Sequence, residues 1–224
     1  MMQRLVSELR TLGLDDVVLD EYGYVMATVP ASSPKPGVPV IGFIAHVDTS
    51  PEMSGAGVRP IVHDKYDGRD LVLPDNPSMV LRTADDPALA ARIGDDIVTA
   101  SGTTLLGADD KAGVAEIMAA VEHLVRHPEI PHGVIRIGFT PDEEIGRGAD
   151  HFDVQRFGAV CAYTLDGGSR GELEQRTLRS QLAGHEVADQ HFDSRPIDAR
   201  LHVVGVHEAL IPVGCLGRHL ISWQ

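Results

Sequence analysis

The chain is poor in cysteine and in positive charge. Its two cysteines, Cys161 and Cys215, form no spacing pattern, which excludes a disulfide framework and a thiolate zinc site. Only 19 Lys and Arg stand against 33 Asp and Glu, for a net charge of -14. That balance excludes nucleic acid and an anionic membrane surface as partners, since both need basic patches. No apolar run approaches the ~20 residues of a membrane-spanning helix. No basic flank with an apolar core follows Met1, so a signal peptide is not expected and a soluble cytoplasmic protein is the default. Internal repeats and low-complexity tracts are absent. What remains has ordinary apolar content and enough length for one good-sized domain, or one domain plus part of another. Its acidic excess suits a protein that holds divalent cations.

Hydrophobic spacing lays out the elements. Gln3 to Leu12 reads as a helix with Leu5, Val6, Leu9 and Leu12 on one face. Val17 to Asp20 and Tyr24 to Val29 read as a strand pair turning at Glu21-Tyr22-Gly23. Beyond a loop rich in Pro and Ser, Val38 to Ala45 is a continuous apolar run that suits a strand buried on both faces. Short strands are expected at Arg59 to Val62, Leu71 to Leu73 and Ile97 to Ala100, the last an edge strand. Loops and a short helical piece fill Asp75 to Asp95. A long helix follows Gly107, striped by Val114, Ile117, Met118, Val121, Leu124 and Val125, with Asp109 or Asp110 as its cap and Pro128 at its end. Val134 to Phe139 and Val160 to Leu165 are further buried strands, with one or two helical turns in Glu144 to His151. This alternation predicts an α/β fold built on a mainly parallel, doubly wound sheet. From Gln175 to Gln224 the texture changes. Lysine vanishes, periodicity is lost, and only Leu201 to Val206 reads as a strand.

Chemistry-bearing residues fall past the ends of the predicted strands. His46-Val47-Asp48 follows the first buried strand, Asp109-Asp110 precedes the long helix, Asp142-Glu143-Glu144 follows the next strand and Asp166-Gly167-Gly168 the last. Ligands of open α/β sheets bind at those carboxyl ends. A histidine and several carboxylates meeting there suit a divalent-metal site. His46 and Asp48, two apart on an extended backbone, face one side, so one can ligate while the other orients it. Glu143 and Glu144 diverge, so one carboxylate can face a metal and its neighbour the attacking water. Asp109 and Asp110 diverge likewise, and a bridging carboxylate can hold two cations ~3.5–4 Å apart. Each piece alone also fits a solvated turn or a cap. The joint occurrence of all four is what points to a site.

These strings, from Phe43 to Pro51, Leu105 to Gly113, Phe139 to Gly146 and Tyr163 to Gly168, closely resemble the peptidase T family of tripeptide aminopeptidases. That family belongs to the dizinc group that also holds acetylornithine deacetylase and succinyl-diaminopimelate desuccinylase. The resemblance runs from about Leu5 to Glu174. It implies a three-layer, zinc-exopeptidase-like catalytic domain over 1–174 that is incomplete. It also implies roles: His46 binds one zinc and is oriented by Asp48, Asp109 bridges two zincs, Glu143 is the general base, Glu144 binds the second zinc, and Asp166 binds the first. The reaction implied is hydrolysis of the N-terminal peptide bond of a tripeptide.

Departures from the family pattern carry their own expectations. Family members run on past Glu174 into a lid and dimerisation domain and then supply a last ligand histidine. Here 175–224 is an atypical tail, expected to be frame-shifted or joined across a deletion, with the start of the chain clipped as well. Gly205-Val206-His207-Glu208 bears a faint likeness to the family's closing motif, with Val204 where the histidine should stand. That leaves His202 and His207 as weak substitutes. Without the lid the family's homodimer is not expected. Two alternatives stay open: a remnant or metal-binding module without turnover, and an N-acyl amino acid deacylase, against which the Gly107-to-Gly113 string argues.

Overall fold

A computed structural model describes residues 1–166 of the chain. Helix α1 spans Met2–Thr11 and buries Leu5, Val6 and Leu9, the stripe its spacing predicts. Strands β1 (Val18–Leu19) and β2 (Val25–Val29) form the expected antiparallel hairpin. Its turn is held by Asp20, whose carboxylate accepts the backbone N–H of Tyr22 at 3.0 Å and of Tyr24 at 2.8 Å. Strand β3 is Ile41–His46. Then come β4 (Ile61–His63), β5 (Leu71–Val72), β6 (Val80–Leu81), the short helix α2 (Pro87–Ala90) and β7 (Ile97–Thr99). Helix α3 runs Ala108–Arg126, β8 is Ile135–Thr140, a 3-10 turn covers Glu143–Ile145, α4 is Val154–Phe157 and β9 is Cys161–Thr164.

The central sheet has five strands in the order β1-β2-β8-β3-β9. β3 pairs parallel with both β8 and β9, whereas β2 pairs antiparallel with β8. The sheet is therefore mixed, which corrects the expectation of a mainly parallel one. The cause lies in the connections. A parallel return needs a long crossover, and α3 supplies one between β3 and β8. The hairpin turn and the Pro-rich loop before β3 contain no helix, so β2 comes in antiparallel. The expected edge strand at Ile97 forms outside the central sheet: β7 pairs antiparallel with β4 in a separate two-stranded sheet, and β5 with β6 in another. β6 was not foreseen, because its two residues lie within a Pro- and Asp-rich stretch.

Strand alternation divides the core between the two faces. Val25, Ala27, Val29, Ala45, Ile135, Ile137 and Phe139 pack against the apolar stripes of α1 and α3. On the other face Met26 and Ile44 pack against Phe157 of α4, with Phe152 beside them. The central strands are thus covered on both sides. No helix among the described residues is long and apolar enough to cross a membrane. The tail 175–224, its expected strand at Leu201 to Val206, His202, His207 and the boundary at 174 lie outside the described residues.

Glu116 is a polar residue on the packed side of α3. It is half-buried and has no hydrogen-bond partner among the described residues, and burial pushes its carboxyl from 4.5 up to about 7. The folded state therefore keeps a proton that the unfolded chain releases between those values. Its contribution is most favourable below about pH 4.5 and is lost as pH rises through about 7. We expect Glu116→Gln to be more stable than the parent at pH 8 by roughly 1–2 kcal/mol, allowing for partial solvent screening. The difference should vanish near pH 4, as read by urea unfolding at the two pH values.

Candidate metal centre

Because β3, β8 and β9 run parallel, their carboxyl ends meet at one edge of the sheet. His46 ends β3 and is 1% exposed. Beyond β8 the chain turns sharply at Asp142, whose φ of 62° lies in the left-handed region, before the 3-10 turn that carries Glu143 and Glu144. A short polar side chain tolerates that conformation better than a branched one. Asp48 locks the turn in place. Its Oδ1 accepts the Glu143 backbone N–H at 3.1 Å and its Oδ2 that of Glu144 at 3.0 Å. The same carboxylate lies 3.4 Å from His46 Nδ1, which is buried and makes no hydrogen bond.

The other ring nitrogen faces the acids. His46 Nε2 lies 2.9 Å from Asp109 Oδ1, 3.9 Å from Glu143 Oε2 and 4.0 Å from Asp166 Oδ1. One ligand-type atom from each of His46, Asp109 and Glu144 falls within 4.8 Å of the others, and the same holds for His46, Asp110 and Asp166. All six residues singled out from the sequence, His46, Asp48, Asp109, Glu143, Glu144 and Asp166, therefore come together.

Asp110 joins them, a residue that the sequence offers both as a helix cap and as one of a diverging pair with Asp109. Asp109 and Asp110 have non-helical dihedrals, the peptide bond between them is cis, and regular helix begins after them. Asp110 Oδ1 accepts the Gly113 N–H at 3.0 Å, as a helix cap does. Its Oδ2 accepts the N–H of His46 itself at 3.1 Å. Asp110 thus ties the start of α3 to the end of β3, while Asp109 is left facing the pocket. The signal available in the sequence was Gly113, three residues on. A Cβ there would overlap the Leu165 carbonyl and the Asp110 carboxylate, so only glycine lets α3 approach so closely.

The electrostatics follow from crowding. Asp48, Asp109, Asp110, Glu143, Glu144 and Asp166 share the neighbourhood of one imidazole. Burial pulls the His46 pKa down, but the Asp109 hydrogen bond and the charges of Asp110, Asp166 and Asp48 outweigh it and hold it above 6.5. Asp110 is pushed up to about 8 by burial and then by the Asp166 charge, against the opposing pull of His46 and the two backbone N–H groups. Like-charged carboxylates in one pocket raise one another's pKa unless a cation joins them. An imidazole nitrogen with carboxylate oxygens is a donor set for a borderline divalent ion.

No family model matches the chain. Curated relatives named Peptidase T do. One from Clostridium botulinum is 55% identical over 181 residues, which cover 81% of this chain and 44% of the relative. One from Geobacillus kaustophilus is 55% identical over 179 residues, covering 80% and 43%. Among solved structures, an aminopeptidase PepT from Bacillus cereus superposes with a TM-score of 0.54 at 30% identity, over 75% of this chain and 38% of that one. A tripeptidase from Staphylococcus aureus gives 0.53 at 25% identity, over 75% and 38%. The mixed sheet and its helices define the class, the catalytic-domain fold shared with those aminopeptidases. Within that class the chain is similar to the peptidase T family, at 55% identity over 81% of its own length. It spans less than half the length of the curated relatives it matches.

Gly113→Ala tests the close approach. Alanine is the better helix former by ~1 kcal/mol. Even so, we expect a net loss of about 1–3 kcal/mol, because the neighbours are backbone and a buried carboxylate that cannot give way freely. A lowered urea midpoint with faster exchange of the His46 amide would show it; a raised midpoint would contradict it.

Proposed function

We propose that these residues build one wall of a dizinc aminopeptidase centre that removes the N-terminal residue of a tripeptide. The observation that supports this best is that His46 is shared by two groups of ligand-type atoms, one with Asp109 and Glu144 and one with Asp110 and Asp166. The set fits divalent ions on its own chemistry, several carboxylates gathered around one imidazole. In this reading His46 and Asp166 hold one zinc, Glu144 holds the other, and Asp109 lies between the two. Bound there, the zinc ions would polarise the scissile carbonyl and activate water at neutral pH.

The chain's own groups do the rest. Asp48 keeps the His46 ring in one orientation from its Nδ1 side. Through the Glu143 and Glu144 amides it also sets where both glutamates stand. Glu143 is half open to solvent, with Oε2 on the Nε2 side of His46, where a water can reach it. Its Oε2 accepts the proton of the attacking water and then delivers it to the departing amine. A small peptide is the substrate in this reading, and the family-like part of the zinc-exopeptidase-like domain is taken as 1–174. A cytoplasmic place of action, with no nucleic-acid or membrane partner, accords with it.

Metal analysis of the purified chain and a tripeptide hydrolysis assay test the proposal together. Two bound zinc ions and cleavage of free-amine tripeptides in preference to N-acylated ones are expected. Preference for the acylated substrate would favour a deacylase, and metal without turnover a binding module. Glu143→Gln should lower turnover by about 10²–10⁴-fold with metal content unchanged. Asp48→Asn should instead weaken metal retention by about 10–100-fold, measured as the chelator concentration needed to strip the ions.

A further inference from the structure

At its far end α3 carries a second group of ligand-type side chains. His123 lies on the last turn of α3 and His127 caps the helix just beyond it, with ring centroids 4.4 Å apart and planes tilted by 39°. Both are exposed. His127 Nδ1 lies 2.9 Å from Glu129 Oε1. That contact places the Nδ1 proton toward the carboxylate and leaves Nε2 as the nitrogen with a lone pair to offer. The same arrangement, a carboxylate behind an imidazole, fixes tautomer and basicity at metal-ligating histidines generally. No hydrogen bond engages either ring nitrogen of His123 among the described residues. Arg126, on the same turn as His123, is held by Glu122 at 2.5 Å. The last carbonyls of a helix also bear partial negative charge, which favours a cation there.

We propose that His123 and His127 chelate a divalent transition-metal ion of the nickel, copper or zinc type, with Glu129 orienting His127. The ring contact already puts both imidazoles on one side of the helix end, so a single ion can join both once the rings open slightly from it. The neutral nitrogen donors select borderline ions over magnesium or calcium. At ~1.5 Å rise per residue the pair lies about 20 Å or more from Asp109. The site is therefore separate from the His46 cluster, and the inference does not depend on the proposed peptidase reading.

The test uses Ni2+ as probe on the full chain, counting bound ions by equilibrium dialysis against the His123→Asn, His127→Asn and Asp109→Asn variants. The parent and Asp109→Asn should each bind an ion that the two histidine variants have lost, with the affinity of that ion reduced at least ~10²-fold when one arm of the chelate is removed. Glu129→Gln should weaken it by about ten-fold. Because the three side chains are exposed, apo variants should unfold at the parent's temperature, which separates lost ligation from misfolding. In the parent, added Ni2+ should raise Tm by an increment missing from both histidine variants. Equal ion counts in the parent and both histidine variants would overturn the proposal, as would loss of the ion on Asp109→Asn alone.

Discussion

One buried carboxylate holds the functional edge of this molecule together. Asp110 takes a backbone N–H from β3 with one oxygen and a backbone N–H from α3 with the other. Each such hydrogen bond contributes roughly 1 kcal/mol net, whereas a buried carboxyl group left without them is costly. The strand end and the helix start are thus joined as one rigid piece. His46 and Asp109, more than sixty residues apart in the chain, share a frame because Asp110 sits between their backbones.

The second tie works the same way on the other side. Asp48 accepts the amides of the turn after β8 and lies against the back of the His46 ring. Two aspartates that face the backbone therefore position the acids that face the pocket. Burial first, and then the Asp166 charge, push Asp110 upward, so the site disfavours a full set of ionised carboxylates unless a cation joins them. Local conformations that cost energy gather at the same place: the left-handed Asp142 and the glycine contact at Gly113. Such concentrations mark sites where geometry is held against local preference.

Much of this was legible in the residue pattern. The stripe of α3, the hairpin of β1 and β2, and the three apolar runs that became β3, β8 and β9 all follow from spacing and turn residues. Five of the six candidate site residues lie at or just past one of those runs, and Asp109 opens α3. The sheet's mixed character was not legible, since alternation tells which face a residue takes but not which strand lies beside it. β7 shows the same limit: its composition marked a strand, and its partner turned out to be β4. Asp109 and Asp110 were indistinguishable as neighbours of one type. Burial against β3 separated them.

By itself, the order of residues determined where helix and strand begin, which positions are apolar, and which acids and histidine stand at strand ends. These are local matters, set by periodicity and by the hydrogen bonds a side chain can make within a few residues. Tertiary structure alone decided that Asp110 serves the backbone and Asp109 the pocket, that Asp48 reaches across to the Glu143 turn, and that the acids meet. Those outcomes depend on which strands lie side by side and how closely α3 can approach them. Only the packed chain, with glycine at 113, settles that distance.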